Sequence, residues 1–150
     1  MIFNLDLILN RALYRTVKNK TSSKLKDSMV VPANGRPAEV KVGYRTIRIK
    51  YVRPDFIMDD MTDSYGEYSP REGVIYIQDS LVPQERCNTT WHEILHAVIY
   101  IFSLNQATGP LKEDDAEELG VNTVSNAMMG VYRDNPWLLD MLKENLNSID

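Results

Sequence analysis

Apolar side chains recur along this chain with two different periods, and each predicts a different kind of element. From Leu5 to Val17 they fall at helical spacing (Leu5, Ile8, Leu9, Ala12, Leu13, Val17), with Arg11, Arg15 and Lys18 largely off the stripe, which predicts an amphipathic helix. Between Glu39 and Val52 the run EVKVGYRTIRIKYV alternates β-branched or aromatic residues with Lys and Arg, the period-two pattern of strands with one wet face, and Gly43 marks a turn between them. The run GVIYIQDS predicts a short apolar strand centred on Val74 to Ile77. From Pro83 to Leu104 the period changes to that of a long helix, apolar on nearly all sides after Trp91, which belongs in the middle of a domain. Residues 105–110 interrupt it. Glu113, Asp114 and Asp115 then open a further helix, where carboxylates complement the positive end of the helix dipole, and this helix runs to about Tyr132. Asn135 and Pro136 read as cap and first-turn residue of a last helix, with Trp137, Leu138, Met141 and Leu142 on its inner side.

The segments between these elements are polar. KNKTSSKLKDSMVVPANGRP contains Asn34-Gly35 and reads as a linker or mobile loop, so residues 1–38 form an N-terminal helix and linker ahead of the main body. Residues 54–72, rich in Asp, Ser, Gly and Pro, read as loop. The 150 residues are expected to fold as a single domain of α+β class: a short antiparallel sheet packed on a central helix, with further helices at both ends.

Composition narrows the picture. With 43% apolar and 25% charged residues the chain has no disordered, collagen-like or coiled-coil bias. Its single cysteine, Cys87, permits no intramolecular disulfide and is expected to be a small buried hydrophobe; a reducing compartment, the cytoplasm, is the expectation. The N-terminal stretch has no basic leader or small-residue cleavage site and does not read as a signal peptide, and the apolar run Ala97 to Phe102 is far shorter than the ~20 residues of a membrane span. The net charge of −4 is unevenly placed: residues 1–53 carry 12 Lys and Arg against 3 acidic residues, and residues 54–150 carry 5 against 18. No nucleic-acid motif accompanies the basic half, so mutual neutralisation within one fold is the better reading, with the basic strands 41–53 a solvated sheet face.

The chemistry concentrates in WHEILHA. His92, Glu93 and His96 form H-E-x-x-H on a predicted helix, and the chain's 2 histidines are both in it. Residues four apart on a helix differ by about 40° and rise about 6 Å, so both imidazoles leave one face and can grip one ion, which zinc accepts at about 2.0–2.1 Å. Glu93, about 100° round from His92, stays out of the coordination shell but reaches a water at the ion's open position, where it would serve as general base.

A catalytic zinc usually keeps three protein ligands and one open position. With no histidine left and Cys87 upstream on the same helix, the third ligand is expected to be a carboxylate of the following helix, Glu117 or Glu118. Glu118 with Asn122 places a carboxylate and an amide on one face. Glu117 lies on the apolar stripe of Val121, Val124 and Met128, where a metal would relieve the cost of a buried carboxylate, and amphipathicity slightly favours it. An oxyanion stabiliser could come from Tyr65, Tyr68 or Tyr76, near the presumed substrate strand, though ordinary packing is the simpler role for each.

The run GVIYIQDSLVPQERCNTTWHEILHAVIY, the acidic pair leading EELGVNTVSNAM, and RDNPWLLDML together resemble small phage and prophage proteins related to the ImmA/IrrE-type zinc metallopeptidases, on the gluzincin side of the zincins. The resemblance covers roughly residues 40–147. It implies a zincin-like minimal domain with an edge strand, here about Val74 to Gln78, lining the substrate cleft above the active-site helix. It also implies a third ligand from an E-x-x-x-D-like pattern, which maps onto Glu118 with Asn122 and selects Glu118. The chain departs from the pattern with Asn122 in place of an acid and Val82 where a capping side chain is usual before Pro83.

The resulting expectation is a zinc metallopeptidase in which His92, His96 and Glu118 hold Zn2+ and Glu93 deprotonates the attacking water. Its substrate would be a protein or peptide, for instance a regulatory protein, in the cytoplasm of a host cell. The competing expectation is a non-catalytic zinc-containing phage protein that binds a host or phage regulatory partner through the same cleft.

Overall fold

The computed structural model describes residues 30–54 and 65–147. The predicted helix 5–17 and the first part of the predicted linker, to residue 29, lie outside the described residues.

Alternation builds the sheet. In β3 (Arg45–Val52) Ile47, Ile49 and Tyr51 are buried while Thr46 and Arg48 are exposed, as a period of two requires. β2 (Glu39–Val42) pairs antiparallel with the first half of β3, and the turn between them is made at Gly43, whose φ of 55° suits glycine. β1 (Val30–Val31) pairs antiparallel with Tyr51 and Val52. Part of the expected linker is therefore anchored: Tyr51 Oη donates to the carbonyl of Pro37 at 3.0 Å, and the Arg36 guanidinium lies 3.7 Å over the Tyr51 ring. A two-residue strand carries too little periodicity to show itself in sequence, and only pairing with β3 reveals it.

The expected antiparallel sheet is in fact mixed. β5 (Val74–Gln78) runs parallel to β3, with Ile49 opposite Ile75 and Tyr51 opposite Ile77, and β4 (Gly66–Ser69) pairs antiparallel on the far side of β5, giving the order β1-β3-β5-β4 with β2 also on β3. The strand expected at the edge, Val74 to Gln78, is therefore interior, and β4, inside a segment read as loop, lies beyond it. The reason is legible in β5 itself: Val74, Ile75, Tyr76 and Ile77 are all buried, and a strand covered on both faces is apolar without alternation.

Helix α1 (Pro83–Ile101) covers one face of this sheet. Its Ala97 joins Ile47, Ile49, Tyr51, Ile75, Ile77 and Leu81 in the main core, with Ile94, Val98 and Ile101 packed against it at helical spacing. Val82 makes no side-chain cap, and Pro83 opens the first turn, where a missing N–H costs nothing. The helix stops at Ile101 rather than Leu104, because Ser103 takes a positive φ of 60°. It is also less enclosed than expected, with Phe102 at its end 59% exposed. On the other sheet face Val52, Val74 and Tyr76 form a second buried cluster. There Lys50 lies over the Tyr76 ring and Arg48 donates to the carbonyl of Glu72, so these basic residues are used within the fold.

Helix α2 (Asp114–Asp134) packs on α1 and α3 (Pro136–Asn147) packs on α2. The buried stripe of α2 runs through Val121 and Ser125, and Val124, expected on it, is 46% exposed. Asn135 both closes α2 and opens α3: its side-chain amide donates to the carbonyl of Val131 at 3.0 Å, and its own carbonyl accepts from the Leu138 N–H at 3.0 Å in the first turn of α3. Trp137 and Met141, expected to face inward, are exposed, while Leu138 and Leu142 are half-buried, so the contact face of α3 is narrower than its apolar stripe. The architecture is α+β, a mixed open sheet with three helices among the described residues, none long and apolar enough to cross a membrane.

Candidate metal centre

One turn apart on α1, His92 and His96 present their rings to the same side, with centroids 4.8 Å apart and Nε2 atoms at 3.1 Å. Glu118 of α2 approaches the same point: its Oε1 lies 3.2 Å from His96 Nε2 and its Oε2 3.9 Å from His92 Nε2. Tetrahedral ligands at zinc-like distances sit about 3.3 Å from one another, so these separations suit a shared divalent ion. Among the described residues this group of His92, His96 and Glu118 could hold a metal ion.

Glu117, the other candidate for third ligand, points elsewhere. Its Oε1 meets Nδ1 of His96 at 2.7 Å, and its Oε2 accepts from Asn105 Nδ2 at 3.0 Å. Consecutive glutamates of α2 thus address opposite nitrogens of one imidazole. Glu117 does face inward, but the buried stripe it shares runs through Val121 and Ser125 and not Val124, and its carboxylate contacts His96. Asn122 stands on the face of Glu118, as its spacing predicts, with Nδ2 only at the limit of hydrogen bonding, 3.5 Å from Oε2.

Glu93 is the most buried acidic residue of the site at 5% exposure. Burial pushes its carboxyl up to about 8, against the backbone N–H of Tyr68, which favours the ionised form; the Glu118 and Glu67 charges add to the upward push. Burial also holds His92 below the ordinary imidazole value, with His96 acting in the same sense and Glu118 against it.

Gly66 decides how closely the sheet meets this helix. A Cβ there would stand 2.7 Å from Thr89 Cγ2, 3.0 Å from Glu93 Cγ and 3.1 Å from its Oε1, so only glycine lets β4 lie against α1 at the motif. Sequence reasoning missed this residue, whose signal was a glycine beside short β-forming residues, and it missed Asn105, which no spacing rule connects to Glu117.

The group opens into a cavity of about 330 Å3 whose titratable walls include, besides the histidines, the carboxyl groups of Glu67, Glu93, Glu117 and Glu118. Of the three tyrosines considered, Tyr68 lines it, with its hydroxyl buried and unpartnered among the described residues and its ring edge-on to Tyr100 at 6.1 Å. Tyr76 turns to the opposite sheet face and donates to Glu72 Oε2 at 2.6 Å, and Tyr65 is half exposed and outside the cavity wall. Cys87, expected to be buried, is exposed, with its Sγ 3.9 Å from Met129 Sδ of α2. Comparisons with protein-family models, curated proteins and solved structures find no match to this chain.

Proposed function

We propose that this protein is a zinc-dependent peptidase that hydrolyses a peptide bond in a protein target, the reading to which the H-E-x-x-H motif first pointed. The observation that carries it is the convergence of His92 Nε2, His96 Nε2 and the Glu118 carboxylate on one point beside a buried glutamate, at the wall of an open cavity. Two neutral imidazoles and one carboxylate form a donor set characteristic of hydrolytic zinc, which leaves a coordination position for chemistry. A divalent ion held there supplies Lewis acidity, polarising a carbonyl and easing deprotonation of water.

The remaining work falls to the chain. Glu93 takes a proton from the attacking water and returns it to the leaving amine. A carboxyl raised toward neutrality by burial holds that proton more readily than an exposed glutamate would. β4 borders the cavity and is the strand along which an extended peptide would lie, in the part first assigned to Val74–Gln78. A zincin-like fold, a phage or prophage setting and a regulatory protein as target in the host cytoplasm complete the proposal.

The test is metal analysis of the purified protein and of His96→Ala, followed by peptide-library hydrolysis by the wild type and Glu93→Gln. Stoichiometric zinc lost in His96→Ala, with hydrolysis lost in Glu93→Gln, is the expected result. Absence of zinc from the wild type after reconstitution would overturn the site. Zinc without hydrolysis of any peptide would leave a metal protein that binds its partner through the same cavity.

A further inference from the structure

We propose that Glu117, steadied by Asn105, is the positioning residue for His96: it fixes the imidazole as the Nδ1–H tautomer and so directs the Nε2 lone pair at the metal position. The proposal rests on the metal-site reading above and assigns a function to the carboxylate that reading leaves over.

Four observations support it. The contact between His96 Nδ1 and Glu117 Oε1 is 2.7 Å, in the range of a charge-assisted hydrogen bond, and both side chains are only 14% exposed, so water competes poorly for either. An ionised carboxylate only accepts, which places the hydrogen on Nδ1 and leaves Nε2 of the neutral ring as a bare acceptor. That nitrogen is the one facing His92 Nε2 at 3.1 Å and Glu118 Oε1 at 3.2 Å. Finally, the second Glu117 oxygen is occupied by Asn105 Nδ2 at 3.0 Å, and the Asn105 carbonyl oxygen accepts in turn from Gln106 Nε2 at 3.4 Å, so the carboxylate cannot rotate without breaking a second bond.

The backbone explains why the parts meet. Neighbouring residues on α2 diverge by about 100°, which lets Glu117 and Glu118 straddle one ring, each on its own nitrogen. Asn105 sits in the loop between α1 and α2, whose ends are tied by Leu104 N–H to the carbonyl of Ile99 and by Leu111 N–H to the carbonyl of Leu104, both at 2.9 Å. The loop thereby carries an anchor to the same glutamate that reaches back to α1. Carboxylate partners of this kind orient ligand histidines and raise their basicity, and their loss typically lowers metal affinity about 10–100-fold.

The experiment is zinc titration of the full chain against a chromophoric chelator for the wild type, Glu117→Ala, Glu117→Gln and Asn105→Ala, with long-range 1H–15N spectra of the wild-type histidines at pH 8. Glu117→Ala should weaken zinc about 10–100-fold, and Glu117→Gln, which keeps an acceptor oxygen, should recover most of that loss. Asn105→Ala should fall between them. The spectra should show His96 as the Nδ1–H tautomer in the metal-free protein and zinc on its Nε2 when loaded. Unchanged zinc affinity in Glu117→Ala, with affinity still lost in His96→Ala, would overturn this role while leaving the metal site standing. An Nε2–H tautomer in the metal-free wild type would overturn it without any variant, even if Glu117→Ala does not fold. Zinc binding that survives Glu118→Ala but not Glu117→Ala would make Glu117 a ligand and likewise end the proposal. Failure of the wild type to bind zinc at all would remove it together with the site.

Discussion

Gly66 on β4 lies so close to Glu93 on α1 that a methyl group at Gly66 would meet Glu93 Cγ at 3.0 Å and Thr89 Cγ2 at 2.7 Å. The second contact is closer than side-chain carbons approach one another, so something must move. Gly66→Ala should push β4 away from α1 at the motif, costing about 1–3 kcal/mol as overpacking of a tight contact does. If the proposed activity holds, hydrolysis should fall with it, since the strand and Glu93, the proposed general base, separate. Gly130→Ala is the contrast: it lies in α2 with nothing within 4 Å of the added methyl, and should stabilise by about 0.5–1 kcal/mol. Urea unfolding of both variants checks the pair, and equal midpoints would refute the close-approach argument.

Glu93 should give the metal-free protein a distinctive pH dependence. Its folded value of about 8 lies above the ordinary 4.5, so between these values the folded state keeps a proton that the unfolded chain has released. Stability must then fall as pH rises from about 4.5 to about 8, with a slope of up to about 1.4 kcal/mol per pH unit from this group. His92 acts in the opposite sense, because its lowered folded value makes stability rise as pH increases toward 6.5. Subtracting the Glu93→Gln profile from that of the wild type isolates the first contribution. A difference that does not change between pH 5 and 8 would show that Glu93 is not held neutral by burial.

Zinc should stabilise the folded chain through His92, His96 and Glu118. At a free concentration of 100 times Kd the gain is about 2.7 kcal/mol, or roughly 5–10 °C in Tm for a chain of this size. A chelator should remove the increment, and His96→Ala or Glu118→Ala should abolish it. Scanning calorimetry with and without zinc would show this, and an increment that persists in His96→Ala would place the ion elsewhere.

Two tyrosines on neighbouring strands should respond oppositely to loss of a hydroxyl. Tyr76→Phe deletes the 2.6 Å bond to Glu72 and should cost about 1 kcal/mol, without effect on the cavity. Tyr68→Phe deletes a buried hydroxyl with no partner among the described residues, and should leave stability unchanged or raise it by up to about 1 kcal/mol. Denaturation midpoints of the two variants that shift in the same direction would contradict these assignments.

What the sequence determined by itself is what the backbone period fixes locally. His92 and His96 share a face because four residues nearly complete a helical turn, and Ile47, Ile49 and Tyr51 share a face because a strand alternates. The apolar character of Val74 to Ile77 was legible too, but its interior place in the sheet was not: it was expected at an edge and is covered on both faces. Tertiary structure alone decided that β5 runs parallel beside β3, that Gly66 meets Glu93, and that Asn105 meets Glu117. It also decided which of two adjacent glutamates faces which nitrogen of His96, because that depends on the rotation and height of α2 against α1. Helical period says that Glu117 and Glu118 point about 100° apart, but only the packing of Val121 and Ser125 sets the origin from which that angle is counted.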